Sequence, residues 1–281
     1  MRHPRGFNQV LGDFIKKTSP AVRAGALGWA VLTGIGNVNA ALQISWESPT
    51  APTPRVLKDF SLEDLEKKKA MVLTEIDPLG SSATEMAKFL GPSLSALIEE
   101  TTKAQTAAER STTDLVVLKT RTGKEALMPK AFLVKYPQIQ LALKKNGQAL
   151  GPEAPRVVLP ATSNAKIKSE NILLEPLFVS ELAAITLTSY EKRYGSFLLK
   201  RRTDPAAMRG EKMFLQNCVS CHGQPQVALS TLASVDKVEK IANGQHPDVR
   251  GVRDFKSIFD KKSTRSLASY LEAFKFQTAN N

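Results

Sequence analysis

The chain has 281 residues, room for one large domain or two ordinary ones. Apolar residues make up 42% and charged residues 23%, proportions that argue against wholesale disorder and against a multispan membrane protein. Lysine and arginine number 39 against 27 acidic residues, a formal charge of +12, and the only cysteines are Cys218 and Cys221, which excludes a disulfide framework built from other positions.

The N-terminus reads as an export signal. Arg2, Arg5, Lys16, Lys17 and Arg23 oppose a single Asp13, and Ala24 to Val38 is apolar and uncharged. That length fits the ~7–15 residues of a signal core and falls short of the ~20 that span a bilayer comfortably. Val38-Asn39-Ala40 then offers small residues for cleavage, so residues 1–40 are expected to be a signal peptide. A periplasmic mature protein with no stable membrane span is the expectation. A buried apolar helix and an uncleaved anchor are the alternatives. Without residues 1–40 the charge is +8, spread along the chain with no Lys/Arg run interleaved with aromatics, and nucleic acid is therefore not expected as a partner.

Residues 41–54, with the Pro/Ser/Thr-rich stretch Ser48 to Pro54, read as a linker. Ser61 is placed to cap a short helix with an acidic residue three positions on. Val72 to Ile76 reads as a strand, and Ser93 to Glu100 as a helix with Leu94, Leu97 and Ile98 on one face. Leu115 to Thr120 and Glu125 to Met128 form two strands around the turn Arg121-Thr122-Gly123-Lys124. Lys130 to Ala142 reads as a helix broken by Pro137, Asn146-Gly147 as a turn, Arg156 to Pro160 as a buried strand, and Leu177 to Thr188 as one or two more. The charged, proline-terminated junction before Pro205 marks a domain boundary, placed at residue 202. Helices are expected beyond it over Ala206 to Gln216, Val235 to Asn243 and Thr264 to Phe274. The fold class is thus two domains: an α+β domain over 55–202 with substantial β content, and an all-α domain over 203–281.

Cys218-Val219-Ser220-Cys221-His222 is a C-x-x-C-H motif, the attachment signature of c-type heme. Two thiols at this spacing can both add to the porphyrin vinyl groups, while the next residue directs an imidazole at the iron. A thioredoxin-like pair or half a zinc site would share the two cysteines, but the zinc site lacks its remaining ligands.

On this motif, residues 204 to 274 resemble the c-type cytochromes. Gly210 and Phe214 match the family's glycine and aromatic on the helix before the cysteines, and Tyr270 and Leu271 match the apolar face of its C-terminal helix. The resemblance implies an all-α cytochrome c domain in which these helices cross, with Gly210 permitting close approach. It implies one covalently attached heme c, held by Cys218 and Cys221, with His222 as proximal iron ligand. By the same resemblance, Pro225 would accept a hydrogen bond from the ring N–H of His222.

The family's usual sixth ligand, a methionine well downstream of the motif, has no counterpart, since no methionine follows His222. His3 leaves with the signal, so His246, in Asn243-Gly244-Gln245-His246-Pro247, is the expected distal ligand. Met71, Met86 or Met128, a lysine or asparagine, and an open site are the alternatives.

More faintly, Phe60-Ser61-Leu62-Glu63-Asp64-Leu65, Leu94 to Ile98, Asn146 to Pro152 and Arg156 to Pro160 occur in the order found in the sulfite oxidase-type molybdopterin domain, which they resemble. That family binds molybdenum through a cysteine thiolate. Both cysteines here fall in the heme motif, so the resemblance implies a scaffold or docking version, and no molybdenum cofactor is expected.

The function expected from the sequence is that of an exported monoheme c-type cytochrome carrying single electrons between redox proteins, an electron carrier rather than an enzyme. The alternatives are a cytochrome subunit of a molybdenum-type oxidoreductase complex and a heme ligand-binding sensor.

Overall fold

The computed structural model describes residues 41–79, 85–220, 222–223, 238–240 and 259–279, all within one unit that spans Gly36–Asn281. The described residues have mixed content, with three β-sheets and a helical C-terminal region. The main sheet is built from β1 (Leu42–Trp46), β2 (Arg55–Phe60), β5 (Leu115–Thr120), β6 (Glu125–Pro129) and β11 (Leu182–Thr188), in the order β2-β1-β11-β5-β6. β1 runs parallel to β11 and antiparallel to β2.

The expected linker is therefore divided. Leu42–Trp46 is a strand within the main sheet, with Leu42 and Ile44 fully buried, and only the proline-rich remainder connects β1 to β2. Four of the five residues in β1 are buried, so the strand shows no in-out alternation that would announce it.

The run Leu115-Val116-Val117-Leu118 is apolar throughout because β5 is buried on both faces. Val116 and Leu118 join one apolar cluster with Leu42, Ile44, Leu97 and Phe132, while Leu115 and Val117 join a second with the C-terminal helices. The period of two thus splits one strand between two cores. β6 continues the pattern, giving Met128 to the first cluster and Leu127 to the second.

A second sheet has the order β3-β4-β8-β9, from β3 (Ala70–Ile76), β4 (Met86–Pro92), β8 (Lys144–Lys145) and β9 (Gln148–Ala149). β7 (Gln140–Ala142) and β10 (Arg156–Val158) form a separate antiparallel pair. Gly91 is required where β4 meets β7. A Cβ there would strike the carbonyl oxygen of Leu141 and lie 2.8 Å from its carbonyl carbon. The turn Asn146-Gly147 between β8 and β9 has both residues at positive φ, 51° and 83°, the conformation its sequence favours.

Short helices close the loops. α1 (Leu62–Glu66) has a full capping box between Ser61 and Asp64, and α2 (Leu94–Thr102) is capped by Ser93 and buries Leu94, Leu97 and Ile98. α3 (Ala107–Ser111) is capped by Thr106. The helix expected over Lys130 to Ala142 is shorter: α4 (Lys130–Lys135) ends two residues before Pro137, and the remainder supplies β7. Proline disfavours the helical conformation of the residue before it, so the chain turns there and extends.

On β10, Arg156 is only 2% exposed and pairs with the equally buried Asp77, which also accepts from Lys145 Nζ at 2.7 Å. Burial pushes the Asp77 carboxyl up, but hydrogen bonds from Lys145 and Arg156 outweigh it and hold the group below its ordinary range.

Candidate functional site

After β11 the chain forms α5 (Tyr190–Tyr194), then α6 (Pro205–Asn217) and, at the C-terminus, α7 (Lys261–Ala279). Asp204 caps α6 by accepting the Ala206 N–H at 2.7 Å, and Pro205 opens the helix where its missing N–H costs nothing. The helix runs one residue beyond the stretch its sequence suggested, so Asn217 lies inside it and Cys218 becomes the C-cap.

Gly210 is buried against α7. A Cβ at this position would overlap the Ser266 carbonyl oxygen and stand 2.6 Å from its carbonyl carbon and 2.7 Å from Tyr270 Cβ. The two backbones therefore touch with no side chain between them. Around this crossing sits a group of four rings. Phe214 lies 5.3 Å from both Phe197 and Tyr270, and Phe274 lies 5.7 Å from Phe197 and Tyr270 between ring centroids. Each buried ring contributes roughly 1.5–3 kcal/mol of apolar transfer. The Tyr270 hydroxyl donates to the Phe197 carbonyl at 2.8 Å, and burial holds its pKa far above the usual phenol, so it remains a donor. Glu211, 3% exposed, accepts the Leu199 N–H at 2.6 Å and pairs with Arg202, fixing the incoming segment to α6.

Cys218 closes the helix. Its N–H donates to the Phe214 carbonyl at 2.8 Å, and the Val219 N–H shares that acceptor at 3.1 Å. The His222 N–H then donates to the Cys218 carbonyl at 2.9 Å, folding the motif back on itself. Cys218 is buried in the cluster that holds Phe214, Tyr270 and Leu271, and His222 is half-buried. A thiol against an apolar wall and an imidazole within one turn suit the chemistry of a thioether-linked porphyrin with a nitrogen ligand. Cys221, Pro225 and His246 lie outside the described residues.

The alternative methionine ligands are spread out. Met128 is fully buried in the first cluster of the main sheet, Met86 is exposed on β4, and Met71 lies on β3 of the second sheet. A cleft of about 430 Å³ lies between residues 170–172, α6 and the start of α7, but neither Cys218 nor His222 lines it.

One residue at the site was not singled out by sequence. Asn217, 7% exposed, makes three hydrogen bonds. Its Oδ1 accepts from Leu173 N at 2.8 Å, and its Nδ2 donates to the carbonyls of Asn171 and Met213, each at 3.0 Å. An asparagine at a helix end is ordinary in sequence; only the folded chain shows where its amide reaches.

A scan against protein-family models and a comparison with curated proteins each return no match to this chain. No helix among the described residues is long and apolar enough to cross a membrane.

Proposed function

We propose that this protein is an exported monoheme c-type cytochrome that passes single electrons between redox proteins. The observation that carries the reading is the sequence Cys218-Val219-Ser220-Cys221-His222, whose first cysteine caps α6, the helix whose glycine lies directly against α7. In this reading Cys218 and Cys221 hold the porphyrin, His222 supplies the proximal nitrogen and His246 the distal one. When bound, heme supplies a one-electron iron couple.

The chain's own residues do the rest. The rings of Phe197, Phe214, Tyr270 and Phe274 keep the wall behind Cys218 dry, and the Gly210 contact fixes the two helices that frame it. Two imidazole ligands would leave neither oxidation state needing to gain or lose a ligand, and would set a lower potential than a histidine–methionine pair. The α+β region, from β1 to residue 202, is read as a metal-free scaffold that docks redox partners, an oxidoreductase subunit among them, and residues 203–281 as the cytochrome domain.

The test is a heme count by pyridine hemochrome, a metal count and an intact mass on the purified mature protein. One covalent heme per chain, an N-terminus at Ala41 and no molybdenum are expected. Absence of covalent heme overturns the cytochrome reading, stoichiometric molybdenum overturns the scaffold reading, and Met1 retained on the holoprotein overturns cleavage.

A further inference from the structure

The turn that carries Cys218 and His222 hangs from the last turn of α6. Asn217 immediately precedes it, and its side chain reaches out of that turn. Its amide accepts the Leu173 N–H and donates to the Asn171 and Met213 carbonyls, one bond inside α6 and two across to loop 170–173.

That loop is itself anchored far from the motif. Glu170 Oε1 accepts from the Tyr136 hydroxyl at 2.7 Å and pairs with Lys135, both at the end of α4. Ile172, two residues on, is 7% exposed in the first apolar cluster, while Leu173 packs on the second. A continuous chain of contacts thus runs from α4, through 170–173, to the residue that precedes Cys218.

We propose that Asn217 is a positioning residue that fixes the heme-attachment turn against loop 170–173, so that the α+β region sets the orientation of Cys218 and His222 and, through them, the electronic state of the iron. The inference rests on the cytochrome reading. It follows from the geometry of a primary amide. Asn217 uses both ends of one planar group, accepting at its oxygen and donating at its nitrogen, so loop and helix end are held in a single register. A buried hydrogen bond of this kind contributes modestly by itself, but leaving the Leu173 N–H or the Asn171 carbonyl without a partner is costly. The end of α6 would shift rather than leave them so, and an iron ligand carried four residues beyond Cys218 would shift with it.

The test uses the purified holoprotein, after pyridine hemochrome has shown covalent heme in the parent chain. Its absence there overturns the cytochrome reading, and this inference falls with it. Midpoint potential and the ferric electron-paramagnetic-resonance g values are then compared for Asn217→Ala, Asn217→Asp and the uncharged neighbour control Gln216→Ala. The alanine variant is expected to move both readouts, and the aspartate variant to move them too, since its carboxylate keeps an acceptor for Leu173 but meets the Asn171 and Met213 carbonyls with no donor. Gln216→Ala is expected to move neither. Should Asn217→Ala yield no holoprotein, Glu170→Ala decides by releasing the loop at its far end, with a shift in the same two readouts expected. Lower stability with unchanged potential and g values in the Asn217 variants overturns the proposal, leaving Asn217 a structural clamp. The same outcome in Glu170→Ala overturns it too.

Discussion

Gly210→Ala adds a single methyl group at the closest approach of α6 and α7. The new carbon would stand 2.6 Å from the Ser266 carbonyl carbon and 2.7 Å from Tyr270 Cβ. Carbon pairs are comfortable at about 3.5–4.0 Å, so the helices must separate by roughly 1 Å. Neither neighbour can rotate away, because one is backbone and the other is the root of a buried ring. Overpacking of this kind costs about 1–3 kcal/mol, and rigid neighbours put it at the upper end. Against this, alanine is favoured over glycine within a helix by about 0.5–1 kcal/mol. The net expectation is a loss of about 2 kcal/mol, or a fall of roughly 4–8 °C in Tm for a unit of this size. Urea unfolding of the holoprotein, followed by far-ultraviolet circular dichroism, measures it. A variant as stable as the parent, or more stable, would mean that helix propensity governs this position and that the close contact is not formed.

Three further outcomes follow from named residues. Replacing either Cys218 or Cys221 by alanine is expected to weaken covalent heme retention and replacing both to abolish it, read as heme stain on a denaturing gel; stain that persists in the double variant refutes attachment through this pair. His246→Ala is expected to open the distal position, giving a ferrous form that takes up carbon monoxide rapidly, and an unchanged spectrum and potential would place the ligand elsewhere. Asp77→Asn leaves the half-exposed Glu153 as the one carboxylate paired with the buried Arg156 among the described residues, and is expected to cost about 3 kcal/mol at neutral pH. Because the Asp77 pKa is lowered on folding, its stabilisation is complete above the unfolded value near ~3.9 and lost as pH falls through the folded one. Parent and Asp77→Asn should therefore converge in acid, and a constant gap down to the acid limit would show that ionisation of Asp77 is not what stabilises.

Local chemistry was legible wherever it was complete within a few residues. The Ser61 capping box, the Asn146-Gly147 turn and the β5–β6 hairpin each carry their instructions in adjacent side chains. β1 did not, because its five residues are mostly buried and are followed after Glu47 by a run of serines, threonines and prolines. β4 was hidden by Gly91 and Pro92, which resemble breakers until the nearness of Leu141 shows why a glycine is needed. At the site, the motif and Gly210 could be read from spacing and resemblance, whereas the reach of Asn217 depends on residues 44 and 46 positions away.

The parallel pairing of β1 with β11 has a consequence for how the molecule comes into being. Ser45 and Thr186 touch through their hydroxyls at 3.2 Å, yet 141 residues separate them. Synthesis delivers β1 early and its parallel neighbour late, so through most of the chain's emergence one side of an apolar strand has nothing to pair with. Contacts of such long sequence separation are slow to form, and an unpaired strand edge invites pairing with other chains. Assembly of the main sheet therefore waits for residues 182–188, and the nascent chain is most exposed to aggregation until they are free to fold.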